Sequence, residues 1–462
     1  DVHFYRNLVS DATGTQVMNL SYSLLTARTL LDELRADGID DDRLCLLMKT
    51  LEQACEPAIA LRNLVDIIKA LQSQGRDFHQ VITDDAGLVR LVTVLGVSDG
   101  MGKLMRFRPE LVMAAASDSC ESHLYNHAQR RAHVLEAVGA DPADNRMPKA
   151  SKPLAEAATA LRQTYRKQLA AIMAQDATAD DPIEIQPRIS QELSDLADAA
   201  LEGALAIARN EVDGSEHVRF AIIGMGKLGA RELNYVSDVD LIYVVEPADA
   251  DTNGMTLNRV GTKMATTLQR VCQSVIMGVA EPTLWQIDGG LRPEGKDGPL
   301  VRKLESHKAY YEQWAENWEF QALLKARPVA GDPDLGQAYM DMTRPFVWAA
   351  SKRDNFVYDC QQMRKRVEDL IPAPLKDREI KLGRGGLRDV EFTVQMLQLV
   401  HGRADETLRT SSTLESLQRL AEGGYVSRRQ AKKLSWDQRE NLGMRPSLSG
   451  KRKGQVLNTL SQ

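Results

Sequence analysis

Two short apolar segments lie close together near the middle of the chain, and the spacing between them limits the folds they can form. Residues 219–223 (RFAII) and 241–245 (LIYVV) are both typical of β-strands. A glycine-rich turn at 224–229 follows the first segment, and only eight residues separate that turn from Asp238. Because a parallel crossover with its helix needs at least about 10 to 12 residues, the two strands cannot easily form a Rossmann pair.

The turn itself, GMGKLG at 224–229, matches the pattern GxGxxG, and Glu246 stands about where a dinucleotide fold places its ribose-binding acid. Dinucleotide binding is therefore one interpretation, which the short spacing opposes. In the alternative, Gly224 and Gly226 open a tight turn whose backbone N–H groups face a phosphate. Lys227 lies in the same turn, but the Walker spacing is absent and a P-loop is not expected.

Two aspartates, Asp238 and Asp240, begin the second predicted strand. Residues i and i+2 of a strand share one face, so the two carboxylates should project together. Asp288 ends the apolar segment 283–287 just before another turn, and it is the natural third carboxylate from a neighbouring strand. Carboxylate oxygens in register suit Mg²⁺. We therefore predict that Asp238, Asp240 and Asp288 are catalytic residues and metal ligands, with Mg²⁺ as the cofactor.

A structural role for the same aspartates is the main alternative. An isolated Asp-x-Asp is commonly a turn or helix cap. The upstream glycine turn and the downstream Asp288 favour the metal site over that alternative. Attack on an α-phosphorus builds charge on the phosphoryl oxygens, and two metal ions held by carboxylates can stabilise this charge together with the nucleophile and the leaving oxygen.

Composition limits the class of protein. A chain of 462 residues is expected to form two or three domains. Aromatic residues are only 5% while hydrophobic residues are 43%, which favours a largely helical protein. The net charge of -6 argues against general nucleic-acid binding. No apolar run approaches the length of a membrane span and no signal segment opens the sequence, so we expect a cytoplasmic protein without membrane contact.

The hydrophobic periodicity changes along the chain and suggests four regions. Helical spacing predicts a helical lead-in domain at 1–116, and the strand-like segments lie in a domain at 117–345. Helical periodicity returns in a bundle domain at 346–434. After Leu434 the apolar rhythm fades into a basic, polar ending, and we expect 435–462 to be an atypical, disordered tail.

Four ordered blocks of sequence resemble one family. They are GMGKLGARELNYVSDVD (224–240), LRPEGKDGPLV (291–301), WEFQALLKAR (318–327, with Gly331 and Asp332 beyond it) and KLGRGGLRDVEF (381–392). They are similar to the bifunctional glutamine synthetase adenylyltransferase/adenylyl-removing enzymes, a branch of the DNA polymerase β-like nucleotidyltransferases. With the helical lead-in, the similarity covers about residues 24 to 434. Residues 435–462 depart from the family pattern.

The resemblance implies an α+β fold: a DNA polymerase β-like nucleotidyltransferase domain with a small mixed sheet, flanked by mostly helical domains. Family members carry two nucleotidyltransferase halves, and this chain has room for one. The sequence of these blocks resembles the N-terminal, adenylyl-removing half of actinobacterial members. That half implies phosphorolysis of the AMP-tyrosine bond of glutamine synthetase, which releases ADP. Glutamine synthetase is then the protein substrate, and a PII-class signalling protein is a candidate regulatory partner.

Further residues are candidates for nucleotide or phosphate contacts. Arg292 and Lys296 follow Asp288 in a Pro-Gly turn where cations could neutralise phosphate oxygens, although a solvated basic loop would look the same. Lys325 and Arg327 end a helical pattern, where basic residues are also common for dipole reasons. The predicted contact set is Gly224, Gly226, Lys227, Ser237, Arg292, Lys296 and Arg327.

Other positions have weaker interpretations. Arg384, Arg388, Asp389 and Glu391 flank a predicted helix start and could face the nucleotide or join two domains, while Asp389 could simply stabilise the first helical turn. Trp314, Trp318 and Phe320 could stack on a base, but such spacing more often marks a core.

Two alternatives to adenylyl removal remain open. The same carboxylates would serve AMP transfer from ATP to the tyrosine, because either phosphate or a tyrosine hydroxyl can be the nucleophile. A non-catalytic regulatory or partner-binding module is the alternative from another class, and the acidic triad argues against it.

Overall fold

The fold is given by a computed structural model. It describes residues 29, 32, 34–36, 39–82, 84–117, 126–369, 371–372, 382–383 and 386–442. Within these residues a mixed β-sheet is accompanied by many helices, so the predicted α+β class is confirmed. No helix in the described part is long and apolar enough to cross a membrane.

The chain forms two compact units, and the first is entirely helical in its described residues. It contains the described residues up to 117 together with Arg166–Ile185. Some of its helices begin at side-chain caps, as where Asp40 accepts a hydrogen bond from the Arg43 backbone N–H (2.8 Å). They are α1 Asp41–Gln53, α2 Pro57–Ser73, α3 Phe78–Val81, α4 Asp85–Val97, α5 Asp99–Phe107 and α6 Pro109–Ala116.

The second unit, Tyr125–Tyr165 with Gln186–Leu442, contains the sheet. Two long helices, Leu154–Thr178 and Pro182–Glu211, contribute residues to both units. The helices are α7 His127–Val138, α8 Leu154–Thr178, α9 Pro182–Glu211, α10 Gly226–Gly229, α11 Gly254–Gln273, α12 Leu304–Gln313, α13 Asn317–Leu323, α14 Pro333–Ala349, α15 Phe356–Asp369, α16 Leu387–His401, α17 Thr413–Glu422 and α18 Arg428–Leu442. The strands are β1 Val218–Gly224, β2 Val239–Pro247, β3 Ile287–Asp288, β4 Val301–Arg302 and β5 Arg327–Gly331.

The sheet has the order β3-β2-β1-β5, with β4 also paired to β2. β1 is antiparallel to β2, with Ala221 opposite Val244, and it is antiparallel to β5 on its other side. The antiparallel pairing excludes a Rossmann βαβ unit, as the short connection predicted. β3 and β4 run parallel to β2, so the sheet is mixed.

Both faces of the sheet are covered within the second unit. On one face Ile242 and Val244 join a core cluster with Phe320 and Tyr339 of α13 and α14. On the other face Gly261 of α11 lies so close that an added Cβ would come within 3.0 Å of Val245 Cγ1. β2 is buried from Val239 to Val245 apart from Asp240, and its charged residues lie near its two ends, Asp240 near the start and Glu246 near the end.

Two of the predicted domain boundaries fall inside helices. The boundary at 345/346 lies inside α14, which continues through Pro345 to Ala349. The predicted start of a disordered tail, at 435, lies inside α18, because that helix continues to Leu442. Residues 443–462 lie outside the described residues. The four-region division remains a prediction, while residues 186–442 belong to one compact unit.

A buried arginine fixes the connection that leads from α11 to β3. Arg162 of α8, 1% exposed, donates to the carbonyl oxygens of Val271 (2.8 Å), Ser274 (2.7 Å) and Glu281 (2.9 Å). Carbonyls at a helix C-terminus lack intrahelical partners. The guanidinium therefore supplies hydrogen-bond donors to the carbonyl groups at the end of α11 and holds the segment that precedes Asp288.

We predict that Arg162→Leu lowers the free energy of unfolding by about 3 kcal/mol, because it leaves several buried carbonyl oxygens without donors. Urea denaturation followed by circular dichroism measures this loss. Arg188→Leu is the matched control, since Arg188 is an exposed residue of α9 that pairs with Glu192 four residues on. An equal loss in the two variants would contradict the role assigned to Arg162.

Candidate active site

The three predicted carboxylates meet at one edge of the sheet. β1 ends at Gly224, and the chain passes through α10 before it returns as β2. Asp240 lies on β2 directly opposite Asp288 of the parallel strand β3, and Asp238 lies one residue before β2 begins. The strand register therefore places the acidic residues of two separate segments side by side, as the sequence analysis predicted for a neighbouring strand.

Gly226 is the glycine of the turn that approaches these carboxylates. Its φ is +53°, in the left-handed region, and an added Cβ would lie 2.6 Å from Asp240 Oδ2. Any side chain at this position would both strain the backbone and displace that carboxylate. Gly224 has a packing role instead, since a Cβ there would lie 2.6 Å from Val329 Cγ1.

The acidic edge forms one wall of a cavity of about 310 Å³. Helices α13, α15 and α16 supply the opposite walls. A volume in this range is ordinary for small-molecule sites. The lining residues are Gly226, Lys227, Ser237, Asp238, Asp240, Asp288, Leu291, Trp318, Gln321, Ala322, Lys325, Met363, Val367, Leu387, Arg388, Glu391, Phe392 and Gln395.

The donor set fits a divalent cation of the magnesium type. Three carboxylates supply hard oxygen ligands. Gly226 has no side chain, which leaves space beside the Asp240 carboxylate that any other residue would fill. A tighter group lies elsewhere. Among the described residues, His127, Asp195 and Asp198 form the one group of three His, Cys, Asp or Glu side chains whose ligand atoms all lie within 4.8 Å of one another. The three lining aspartates are more widely spread, which suits two ions a few ångströms apart better than a single ion.

The cluster of His127, Asp195 and Asp198 is held by arginines. Arg327 makes a two-pronged ion pair with Asp198 (2.6 and 3.0 Å), and Arg231 lies 3.3 Å from Asp195. Burial raises the pKa of Asp195 in spite of Arg231. The cluster supports the sheet through β5 and does not line the cavity of the three aspartates.

Cationic side chains occupy the part of the cavity around Glu391. Burial acts to raise the pKa of Glu391, but the neighbouring Lys325, Arg388 and Lys227 outweigh it and hold that pKa below its ordinary value. The cavity thus combines an acidic edge with a group of three cations. A ligand with several phosphate oxygens is the kind of molecule that matches such a division of charge.

Lys325 connects the sheet side of the cavity to the helical side. Its ammonium group lies 3.2 Å from Glu232 Oε2, 3.4 Å from Glu391 Oε1 and 3.1 Å from Thr413 Oγ1. Burial acts to lower the pKa of Lys325, but Glu391 and Glu232 raise it above its ordinary value, so the side chain is charged. Glu232 also accepts from the Thr413 backbone N–H (2.6 Å), at the start of α17.

Four of the predicted phosphate contacts, Gly224, Arg292, Lys296 and Arg327, lie outside this lining. Arg292 donates to the carbonyl oxygens of Gly289 (2.7 Å) and Gly298 (3.1 Å) and so braces the turn after Asp288. Lys296 is exposed on that turn. Arg327 donates to Leu228 O (3.0 Å) behind the glycine turn, besides its pair with Asp198. Their assignment as phosphate ligands stays a prediction that the described contacts do not support.

The cavity residues on α13 and just after it were only partly recognised from sequence. Trp318, Gln321, Ala322 and Lys325 line the cavity and follow the spacing i, i+3, i+4, i+7, which is one face of a helix. That spacing was the available signal. Phe320 is buried, as predicted for a core aromatic, but Trp318 lines the cavity and Trp314 is 74% exposed, so the core prediction was wrong for both tryptophans.

The segment at the start of α16 also reaches the cavity. Arg388 and Glu391 are lining residues, and Arg388 Nε is a buried donor without a hydrogen-bond partner in the described part of the protein. Asp389 does not line the cavity and accepts a hydrogen bond from Arg364 of α15. Arg384 lies outside the described residues. The nucleotide-facing alternative is thus supported for Arg388 and Glu391, while Asp389 joins two helices.

The mixed sheet, the carboxylate pair across β2 and β3, and the helical wall together are the features expected of a nucleotidyltransferase of the α+β class. The model of the glutamate-ammonia ligase adenylyltransferase family matches residues 88–342. The chain belongs to this family. Residues 361–453 match the model of the GlnD PII-uridylyltransferase family.

Curated relatives agree with the family model. The chain is 77% identical over 413 residues to a Bifidobacterium longum protein, covering 89% of this chain and 38% of that protein. It is 45% identical over 397 residues to a Cutibacterium acnes protein, covering 86% and 39%. Both relatives are named bifunctional glutamine synthetase adenylyltransferase/adenylyl-removing enzyme. The chain thus spans about two fifths of the length of the relatives it matches.

We predict that Lys325→Met lowers the free energy of unfolding by about 3 to 5 kcal/mol near pH 7, because it leaves two buried carboxylates without their cation. The folded-state pKa of Glu391 lies below its ordinary value of 4.5. Ionised Glu391 therefore stabilises the fold above pH 4.5, and this contribution is lost as the pH falls through the folded-state pKa. In the variant the pKa of Glu391 should rise. The difference between wild type and variant should therefore shrink as the pH falls toward 4.5.

Urea denaturation at several pH values measures this difference. Lys308→Met is the control, since Lys308 is an exposed residue paired with Glu312 and its loss should have little effect at any pH. A difference for Lys325→Met that is the same at pH 7 and pH 4.5 would show that packing, and not charge, accounts for the loss.

Proposed function

We propose that this chain removes AMP from the adenylylated tyrosine of glutamine synthetase by metal-dependent phosphorolysis and releases ADP. The observation that carries the proposal is the shared cavity, in which Asp238, Asp240 and Asp288 face a group of three cations. The printed names of the relatives include an adenylyl-removing activity on glutamine synthetase. The resemblance of the sequence blocks to the N-terminal half of the family supports removal over addition.

The reaction exchanges one phosphorus–oxygen bond for another. An oxygen of inorganic phosphate attacks the α-phosphorus of tyrosyl-AMP, the bond from phosphorus to the tyrosine oxygen breaks, and the new bond gives ADP. The tyrosine oxygen regains a proton. Two anions must therefore approach each other, and this repulsion is the electrostatic problem that the site has to solve.

The residues of the cavity are suited to this problem. Asp238, Asp240 and Asp288 would hold Mg²⁺, which when bound offsets the negative charge that develops on the phosphoryl oxygens. Lys227, Lys325 and Arg388 would attract the incoming phosphate and lessen its repulsion from the AMP phosphate. Trp318 and Phe392 offer aromatic surface to the adenine and help to exclude water, which would otherwise compete as the nucleophile.

The match of residues 361–453 to the GlnD PII-uridylyltransferase model supports a PII-class signalling protein as a regulatory partner. We include this partner, and a cytoplasmic location shared with glutamine synthetase, in the proposal. Addition of a PII-class protein should change the rate of ADP release at fixed substrate concentration. An unchanged rate, in a sample where the two proteins also fail to bind, would remove this partner from the proposal.

We predict that Asp240→Asn lowers phosphate-dependent ADP release from adenylylated glutamine synthetase by at least about 100-fold, since a neutral amide holds a divalent cation poorly. Asp238→Asn and Asp288→Asn should behave alike. Chromatographic detection of ADP with Mg²⁺ and inorganic phosphate measures the rate. Asp297→Asn is the matched control, because Asp297 is exposed nearby and does not line the cavity.

The same preparation separates the alternative functions. AMP transfer from ATP to unmodified glutamine synthetase, without phosphate-dependent ADP release, would favour the forward reaction. A folded wild-type sample that binds glutamine synthetase but turns over neither substrate would favour a non-catalytic module. Full activity of Asp240→Asn would contradict the assignment of the metal site.

A further inference from the structure

A second cavity adjoins the one that contains the aspartates. It has a volume of about 850 Å³ and lies between α15 and the segment that joins α12 to α13. Trp318 and Met363 line both cavities. The two spaces are therefore neighbours that share these two side chains, and a molecule in the larger one lies next to the site of chemistry.

The floor of the second cavity is tied together by side-chain hydrogen bonds. Arg353 donates through Nε to Asn317 Oδ1 (2.8 Å) and through Nη2 to Ala315 O (2.8 Å). Asn317 in turn donates to Asp359 Oδ2 (2.7 Å) and to Asp354 O (3.0 Å). These bonds tie the segment around Asn317 to the start of α15 and so fix one side of the groove.

The walls of the groove present accessible polar and aromatic groups. Tyr358, Gln362 and Arg366 follow one another at four-residue intervals along α15, and Tyr358 is 60% exposed. Glu316 and Lys352 are exposed elsewhere on the lining. Such a surface offers both donors and acceptors to a ligand that carries backbone amides and mixed side chains.

The charge of the groove argues against a polyanion. Three acidic residues (Glu316, Asp354 and Asp359) and three basic residues (Lys352, Arg353 and Arg366) line it, so their formal charges cancel. Nucleic acids and anionic membrane surfaces attract a basic patch. A polypeptide of mixed polarity is the class of ligand that a balanced, partly aromatic groove fits best.

We propose that this groove holds the polypeptide segment of the protein substrate that flanks the modified tyrosine. This inference rests on the proposed function, which requires a tyrosine of a folded protein to enter the aspartate cavity while its chain stays outside. With the flanking segment along α15, the tyrosine would pass Trp318 to reach the acidic edge. The groove then determines which protein is accepted, and the aspartates act on any adenylyl-tyrosine that reaches them.

The test compares a protein substrate with a small one in the full chain. The double variant Tyr358→Ala/Arg366→Ala removes two groove contacts, and Val357→Ala/Lys365→Ala removes two exposed side chains of the same helix that do not line the groove. The substrates are adenylylated glutamine synthetase and an adenylylated tyrosine amide, both with Mg²⁺ and inorganic phosphate. Circular dichroism verifies that each variant is folded.

We expect the groove variant to raise KM for the adenylylated protein by about tenfold or more, with kcat/KM for the small substrate unchanged. The control variant should match the wild type on both substrates. An unchanged KM for the protein, or equal losses on both substrates, would overturn the proposal for the groove while leaving adenylyl removal intact.

Direct binding separates failure of the groove from failure of the proposed function. Surface plasmon resonance of immobilised adenylylated glutamine synthetase reports affinity without turnover. If the wild type binds but turns over neither substrate, the proposed function fails, and weaker binding of the groove variant alone still supports the docking surface. If the groove variant binds as tightly as the wild type, the docking surface is overturned.

Discussion

The parallel pairing of β3 with β2 is the constraint on which the rest of the site depends. It sets Asp240 opposite Asp288 at the edge of the sheet. β3 is only two residues long, so its position is secured mainly by what surrounds it. Arg162 holds the chain before it, and Arg292 braces the turn after it. The acidic edge is thus built from a strand that could not maintain its register alone.

The second element of the site is a buried charge. Lys325 follows α13 and lies between Glu232, beside the glycine turn, and Glu391 of α16. An ammonium group in this position is tolerated because two carboxylates and a threonine hydroxyl surround it. The helical wall of the cavity is thereby fixed to the same turn that carries Gly226, and the acidic and cationic parts of the cavity keep a defined separation.

The central strands and their acidic residues could be predicted from sequence because each rests on a local pattern. The apolar runs of β1 and β2, the short connection between them and the aspartates near the start of β2 all lie within about thirty residues. Asp288 needed one further step, the expectation of a neighbouring strand. The helical wall could be predicted less well, since the contacts of Lys325 and Arg388 join segments far apart in the chain.

Where the contacts differ from what the sequence suggests, the physical reasons are of the same kind. Arg327 resembles a phosphate ligand in sequence, but Asp198 of α9 takes up its guanidinium, and no spacing within the motif reveals that partner. Trp318 has the spacing of a core aromatic, yet it lines the cavity, while Phe320 and Tyr339 lie in the core cluster. The predicted boundary at 345/346 falls beside a proline, a residue that usually interrupts a helix, and α14 continues through it.

The proposed reaction depends on a single cavity that brings inorganic phosphate to the α-phosphorus of a tyrosyl-AMP. The most direct measurement is the fate of labelled phosphate. Adenylylated glutamine synthetase is incubated with this chain, Mg²⁺ and ³²P-labelled inorganic phosphate, and the nucleotide products are separated. The label should appear in the β-phosphate of ADP. Release of unlabelled AMP would show that water is the nucleophile and would contradict the proposed phosphorolysis.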